Sequence, residues 1–173
     1  MANASAIGDS ASFRRIAAHW ATSISVVTTV DGSGRPFGLT MSAIAPLSAE
    51  RRQFLICVDE CSGSLRAILA SSLFGINLLA CNQQNISKRF ASRSNNKFKN
   101  VPHTRHPSSV PMLEGVAAFA LCEVEATYPG GDHRIVIGTV MDARETTVAP
   151  LLRYRGDYRA LQQWPPPLCG VDP

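Results

Sequence analysis

The feature that most constrains the fold of this chain is a series of short apolar runs separated by turn-forming residues. Ile24–Val30 is β-branched almost throughout, and the turn sequence DGSGRP separates it from the run that begins at Phe37. Later runs begin at Gln53, Phe74 and Val116. Such runs are typical of strands, and Gly, Asp and Pro between them are typical of turns. The pattern predicts a mainly antiparallel β-protein.

Three short segments have helical spacing of their apolar residues. The first follows Ser12, the second follows the polar sequence DECSGS at 59–64, and the third follows Asn82, which is its predicted N-cap. Strands and helices do not alternate regularly, which argues against a doubly wound parallel sheet. We therefore expect a closed antiparallel β-barrel with helical insertions. Within it, the segment Ile24–Ile44 is predicted to form a hairpin.

The length and composition predict one globular domain. The chain has 173 residues, of which 45% are hydrophobic and 17% are charged, a balance typical of a packed core and not of disorder. We expect the domain to span 13–160, between a loose N-terminal tail at 1–12 and a Pro-rich tail at 161–173. Its first helix is predicted to begin after Ser12 as the N-cap and to carry Phe13, Ile16 and Trp20 on one face.

The charge and cysteine patterns exclude several classes of protein. The net charge is +4, and no helix face collects the basic residues, so we expect no nucleic-acid partner, whereas an anionic small ligand fits this balance. The five cysteines lack the paired spacing of a zinc site. No signal peptide or membrane-length apolar run is found, so we expect a cytoplasmic protein without a membrane partner.

Polar residues follow one face of the predicted strand that begins at Phe37. With a period of two, Gly38, Thr40 and Ser42 point the same way. Hydroxyl groups donate and accept hydrogen bonds, and a glycine allows a flat ring to approach the backbone. The spacing alone is more typical of a half-exposed strand whose hydroxyls face water.

Two further motifs are candidates for ligand binding. Ser62 and Ser64 open a predicted helix, whose free backbone N–H groups suit a phosphate, although ordinary N-capping explains the same residues. The turn GGDH places His133 at the start of a strand, where an imidazole can donate a proton near neutral pH. A single histidine in a turn is also commonly solvated.

In their order along the chain, these pieces resemble the flavin reductase-like family, whose fold is the FMN-binding split barrel. The resemblance runs from Phe13 to about Tyr158 and includes the sequences FGLTMSA, FLICVDECSGS, FGINLLACNQQNISKRFA, GGDHRIVIGTV and PLLRYRGDY. Each motif is short, and their order and spacing make the match specific. The family includes the small reductase components of two-component flavin-dependent monooxygenases.

This resemblance implies a mainly β, Greek-key-like antiparallel split barrel and an oxidoreductase that reduces FMN or FAD with NADH or NADPH. It also implies a homodimer, and a partner oxygenase that receives the reduced flavin. A non-catalytic flavin-binding or flavin-sensing module on the same barrel is the alternative, since it would carry the same residues.

The resemblance implies a set of site residues, with His133 near the nicotinamide as the catalytic residue. The cofactor-binding residues that it implies line the flavin ring, the ribityl phosphate or the closing segment: Gly38, Leu39, Thr40, Ser42, Ala43, Cys57, Val58, Asp59, Ser62, Ser64, Asn82, Gln83, Ser87, Tyr154 and Arg155. No metal ligand is implied.

The chain departs from the family pattern beside the expected flavin ring. Ala43 replaces a serine, so only its backbone is available there, and Pro46 also replaces a serine. Asp59 stands where many relatives carry asparagine, and a carboxylate disfavours a nearby anion.

Overall fold

The computed structural model of the chain describes residues 9–161. Most of the two predicted tails, 1–8 and 162–173, lies outside the described residues, whereas residues 10–12 of the predicted N-terminal tail belong to the first helix. Within the described range, the elements in chain order are α1 (Ser10–Ala17), β1 (Thr22–Ser23), β2 (Ser25–Val30), β3 (Pro36–Met41), β4 (Ile44–Ser48), β5 (Gln53–Asp59), α2 (Gly63–Ser71), β6 (Leu73–Leu78), α3 (Gln84–Ala91), β7 (His103–Arg105), β8 (Pro111–Leu113), β9 (Ala118–Gly130), β10 (His133–Glu145), β11 (Leu152–Tyr154) and β12 (Asp157–Arg159).

The main sheet has seven antiparallel strands in the order β3-β2-β6-β9-β10-β5-β4. The mainly antiparallel architecture predicted from the sequence is confirmed. Its two edge strands, β3 and β4, are separated by only Ser42 and Ala43, yet each is hydrogen-bonded to its own inner neighbour. The barrel is therefore not closed by hydrogen bonds. The split barrel implied by the resemblance is correct, and the closed barrel expected from the strand pattern is not.

The predicted strand over Phe37–Ile44 is in fact two strands meeting at a corner. β3 ends at Met41, and β4 begins at Ile44, which lies opposite Ile56 of β5. The Ala43 carbonyl accepts a hydrogen bond from the Cys57 N–H at 3.0 Å. Period-two spacing cannot reveal this change of partner, because β5 lies outside the hairpin.

Both faces of the sheet are packed. β2 is buried throughout, with Val26 in one apolar cluster and Val27 in another. Leu65 of α2 belongs to the cluster on the Val27 side, and Phe90 of α3 belongs to the cluster on the Val26 side. A strand buried on both faces needs apolar residues at successive positions, which explains the continuous β-branched run.

A buried polar network fixes the β7–β8 hairpin to the sheet. The Asn77 side-chain amide donates to the Val26 carbonyl and to the Thr28 hydroxyl, both at 3.0 Å, and its oxygen accepts from the Leu113 N–H at 2.8 Å. The Thr28 hydroxyl donates to the Pro111 carbonyl at 2.6 Å. Each polar group is satisfied, so the irregular segment after α3 is anchored at its far end.

The helix starts match the predictions unevenly. Ser62 caps α2, which is the ordinary N-capping interpretation of this sequence, with its hydroxyl accepting from the Ser64 N–H at 3.2 Å. Asp9, and not Ser12, caps α1, and Gln83, and not Asn82, lies at the N-cap of α3. Asp9 and Ser12 are both good capping residues, and sequence alone does not rank two so close together. No helix within residues 9–161 is long and apolar enough to cross a membrane.

Candidate functional site

The corner between the two edge strands brings two predicted segments together. Ser42 and Ala43 are exposed at this corner, and the Ala43–Cys57 hydrogen bond places them against the end of β5. Val58 is buried in the core, so only its backbone is available to a ligand. The Asp59 carboxylate accepts from the Cys61 N–H at 2.7 Å and so is turned toward its own loop.

Gly38 and Thr40 lie against α3. A Cβ at position 38 would stand 2.6 Å from the Phe90 ring, so the glycine is required by this packing. The Thr40 hydroxyl donates to the Ser87 carbonyl at 2.7 Å, and the Ser87 hydroxyl is 2.9 Å from that of Tyr158. Thr40, assigned to the flavin ring by the resemblance, and Ser87, assigned to the phosphate side, are therefore hydrogen-bonded to each other. The side of Gly38 expected to face a flat ring is filled by the Phe90 ring.

The N-terminus of α2 opens into a cationic cavity of about 210 Å³, which we call the phosphate cavity. Ser62 and Ser64 line it, and Arg35, Arg93 and Lys97 contribute positive charge. Free N–H groups at a helix start and cationic side chains together favour an anion. The lining contains no acidic residue, so the predicted phosphate-binding serines lie in a suitable electrostatic setting.

The segment between α3 and β7 supplies two of these cations. The Lys97 ammonium donates to the Gly38 carbonyl at 3.2 Å and to the Phe90 carbonyl at 2.9 Å, and its partial burial lowers its pKa. Arg89 holds the same turn by donating to the backbone carbonyls of Asn96, Lys97 and Lys99. The turn is therefore fixed to both α3 and β3.

His133 lies at the first position of β10, opposite Asp59 at the end of β5. Its Nδ1 is 2.6 Å from an Asp132 carboxylate oxygen, and this hydrogen bond lowers the pKa of Asp132. The side chain is 43% exposed, so the imidazole is accessible to a ligand. It lies next to the loop that leads into α2, because the Glu60 N–H donates to the carbonyl of the preceding Asp132 at 3.1 Å.

Of the remaining predicted residues, Tyr154 and Arg155 lie near the corner, whereas Asn82 and Gln83 lie at the start of α3. Arg155 lines a second cavity together with Ser42, and the Tyr154 ring lies edge-on to His19. Gln83 makes structural contacts instead, since its side chain accepts from the Ala80 N–H and donates to the Glu114 carbonyl. Asn82 is exposed just before it.

Sequence reasoning missed the three cations of the phosphate cavity. Arg35 lies in the DGSGRP turn, whereas Arg93 and Lys97 lie about 60 positions later in the polar segment after α3. No helix face collects these residues, and only folding brings them together. The unusual length and basic character of the segment after α3 was the available signal.

Cys122 is a structural thiol in the core. Burial raises the pKa of Cys122 to about 12, so its thiol stays protonated near neutral pH and packs as an apolar group. The site thus offers hydrogen-bond donors, positive charge and an accessible imidazole, which suits a cofactor-bound redox reaction.

Comparison with known proteins places the chain among flavin reductases. Residues 17–162 match the family model described as the flavin reductase like domain. The reductase subunit of a flavin-dependent monooxygenase from Rhodococcus jostii is 36% identical over 151 residues, which is 87% of this chain and 77% of that protein.

Solved structures agree. Nitrilotriacetate monooxygenase component B from Mycobacterium thermoresistibile superposes with a TM-score of 0.84 at 33% identity, covering 93% of this chain and 95% of that one. An NADH:FAD oxidoreductase from Streptomyces globisporus, in complex with NAD and FAD fragments, superposes with a TM-score of 0.87 at 26% identity, covering 92% and 98%. In sequence and in fold, this chain belongs to the flavin reductase-like family.

Proposed function

We propose that this protein is an NAD(P)H:flavin oxidoreductase that reduces FMN or FAD and delivers the reduced flavin to a partner monooxygenase. The observation that carries the proposal is the convergence of the Ser42–Ala43 corner, the end of β5 and the phosphate cavity along one edge of the split barrel. Relatives named as reductase subunits of monooxygenases support the partner oxygenase.

The residues present fit a flavin phosphate in the phosphate cavity. Three cationic side chains and the Ser62 and Ser64 N-terminus of α2 face one small space without a carboxylate. From there, Leu39 and Thr40 lead along β3 to the exposed corner, where the isoalloxazine ring would lie. Gly38 in this arrangement serves the packing of Phe90, and its carbonyl orients Lys97.

Bound flavin supplies the redox chemistry, by accepting a hydride from the reduced nicotinamide. The protein's task is to hold the two rings together and to place donors where negative charge develops. The exposed backbone at Ser42 and Ala43 offers N–H groups for this purpose. His133 is proposed to orient the nicotinamide, because its imidazole is accessible at the adjacent end of β5 and its Nδ1 is held by Asp132.

The proposal includes a cytoplasmic homodimer. The homodimer is supported by a mostly apolar depression of about 550 Å³ in the main sheet. Residues of several strands line it, including Ile44 of β4, Phe54 of β5 and Val140 of β10. An apolar surface of this kind is typical of an interface between subunits.

Steady-state oxidation of NADH and NADPH with FMN, FAD and riboflavin, compared side by side, tests this function. We expect NADH or NADPH consumption that depends on added flavin. Flavin binding without any nicotinamide oxidation would instead support the non-catalytic flavin-binding module.

The Ser42→Tyr variant tests the ring position. A tyrosine at the exposed corner would obstruct the isoalloxazine ring, so we expect NADH oxidation to be abolished while the fold is retained. Full flavin-dependent turnover by this variant would place the ring elsewhere.

A further inference from the structure

A second cationic cavity lies beyond the corner, at the other end of β3 from the phosphate cavity. It has a volume of about 240 Å³, and its lining includes Trp20, Thr22, Ser42, Arg153 and Arg155. We call it the Trp20 cavity. Because Ser42 also belongs to the proposed ring site, a molecule in this cavity would lie next to the flavin.

The guanidinium groups of the two arginines in the Trp20 cavity have no partner among the described residues. Within residues 9–161, the side chains of Arg153 and Arg155 make no hydrogen bond and no ion pair with the protein, and no acidic residue lines the cavity. Arg159 on the neighbouring strand differs, since its guanidinium is 3.1 Å from the Asp157 carboxylate. Two unpaired guanidinium groups beside one cavity favour a ligand with adjacent negative charges.

The backbone holds these arginines in place. Arg153 lies opposite Thr22 in the small sheet formed by β1, β11 and β12. Arg155 has a φ of +53° in the turn between β11 and β12, and its N–H donates to the Ala18 carbonyl at 2.8 Å. A left-handed conformation is uncommon for a residue other than glycine, asparagine or aspartate. The turn therefore sets the position of Arg155 beside the end of α1.

Trp20 adds an aromatic surface to the same cavity. Its side chain is 70% exposed although indole is among the largest apolar groups. An exposed indole beside guanidinium groups is suited to stack on a heteroaromatic or sugar ring of an anionic ligand.

The Trp20 cavity and the phosphate cavity are separate spaces along β3. The phosphate cavity is lined by Gly38 and the Trp20 cavity by Ser42, four residues apart, which is about 13 Å along an extended chain. A flavin with its phosphate in the first cavity and its ring at the corner would leave Arg153 and Arg155 free.

We propose that the Trp20 cavity binds the adenosine diphosphate portion of the nicotinamide dinucleotide, with Arg153 and Arg155 on the pyrophosphate and Trp20 against a ring. This inference rests on the proposed function, because it assigns the binding site of the hydride donor in that reaction.

The kinetic test uses Arg153→Gln and Arg155→Asn, the second chosen because asparagine tolerates a positive φ. For each variant we expect the KM for NADH to rise about tenfold, because one charge-assisted hydrogen bond to the dinucleotide is lost. We expect kcat to change little. Arg159→Gln is the matched control and should behave as wild type. With 1-benzyl-1,4-dihydronicotinamide, a donor without phosphates, all four proteins should have the same KM.

The pyrophosphate of FAD is the competing occupant. If the cavity bound it, the arginine variants would raise the KM for FAD, leave that for FMN unchanged and spare NADH, and this result would overturn the proposal. Equal KM values for NADH in wild type and variants would also overturn it.

A binding measurement separates this inference from the proposed function. Titration of the wild-type protein with ADP-ribose should quench tryptophan fluorescence, and Trp20→Leu should abolish the quenching, with Arg153→Gln weakening the binding. If no hydride donor reduces any flavin, the proposed function fails, and this titration still tests the cavity. Absence of ADP-ribose binding to the wild-type protein would refute the inference.

Discussion

At the scale of single residues, Gly38 is a position where the packing of the core meets the proposed ligand site. Gly38 is buried beneath the Phe90 ring, and its carbonyl accepts a hydrogen bond from Lys97, which lines the phosphate cavity. Thr40 is tied to the Ser87 carbonyl. A glycine or threonine that serves packing therefore cannot be distinguished, from the sequence alone, from one that contacts a ligand.

Gly38→Ala tests the packing explanation. The added Cβ would meet the Phe90 ring at 2.6 Å, so the ring and α3 must shift, and we expect a loss of about 1–3 kcal/mol in the free energy of unfolding. Chemical denaturation measures it. Gly32→Ala is the control, since nothing lies within 4 Å of a Cβ there; equal stability of the two variants would contradict the packing explanation.

His133→Ala tests the proposed contact with the nicotinamide. We expect kcat/KM for NADH to fall about tenfold, because one hydrogen bond to the bound NADH is lost. The flavin dissociation constant should be unchanged. His133→Gln, which keeps a hydrogen-bonding group, should recover part of the loss. Unchanged NADH kinetics in the alanine variant would remove His133 from the mechanism.

At the scale of elements, the segment between α3 and β7 joins the site to the scaffold. Arg89 fixes its turn to α3, and Lys97 fixes it to β3. In the adjoining β7, Arg105 donates to the Gly34 carbonyl at 3.2 Å. The far end of the segment is held by the Asn77 network beneath β8. A polar segment of this length stays ordered because many of its contacts are to backbone carbonyls of neighbouring elements.

Lys97→Met tests the phosphate cavity at this scale. Removing one cation should weaken FMN binding about tenfold and change riboflavin binding much less, because riboflavin has no phosphate. Fluorescence titration with each flavin measures both constants. Lys99→Met removes the same charge from the same segment, outside the cavity lining, and should bind FMN normally; equal losses for FMN and riboflavin in Lys97→Met would argue against a phosphate contact.

At the scale of the whole molecule, the main sheet of the unclosed barrel carries a mostly apolar depression lined by residues of several of its strands. Burial of such a surface against a second copy would stabilise both subunits. The proposed homodimer follows from this surface.

Ala143→Glu tests the homodimer. We expect the wild-type protein to have twice its chain mass of 18.6 kDa in light scattering. A carboxylate on the rim of the depression should shift the equilibrium toward the monomer, because an interface disfavours an unpaired buried charge. Ala49→Glu, outside the lining, should remain dimeric, and a monomeric wild type would contradict the proposal.

Much of the fold was predictable because its signals are local. The β-branched run of β2, the turn before β3 and the Ser62 cap of α2 are each read from a few neighbouring residues. Along β9, Glu123 and Glu125 are exposed and alternate with the half-buried Val124 and Ala126, a pattern that the sequence itself carries. The order of short motifs was enough to indicate the family.

Three features depended on the tertiary structure. These are the corner at Ser42–Ala43, the packing of the Phe90 ring on Gly38, and the cavity that Arg35, Arg93 and Lys97 line together. Each is a contact between segments distant in sequence, and periodicity carries no information about which distant segment becomes the partner. The sequence by itself determined the strands, their turns and the kind of chemistry available. Only folding decided which charges and hydroxyls face the same space, because strand pairing and helix packing bring them there.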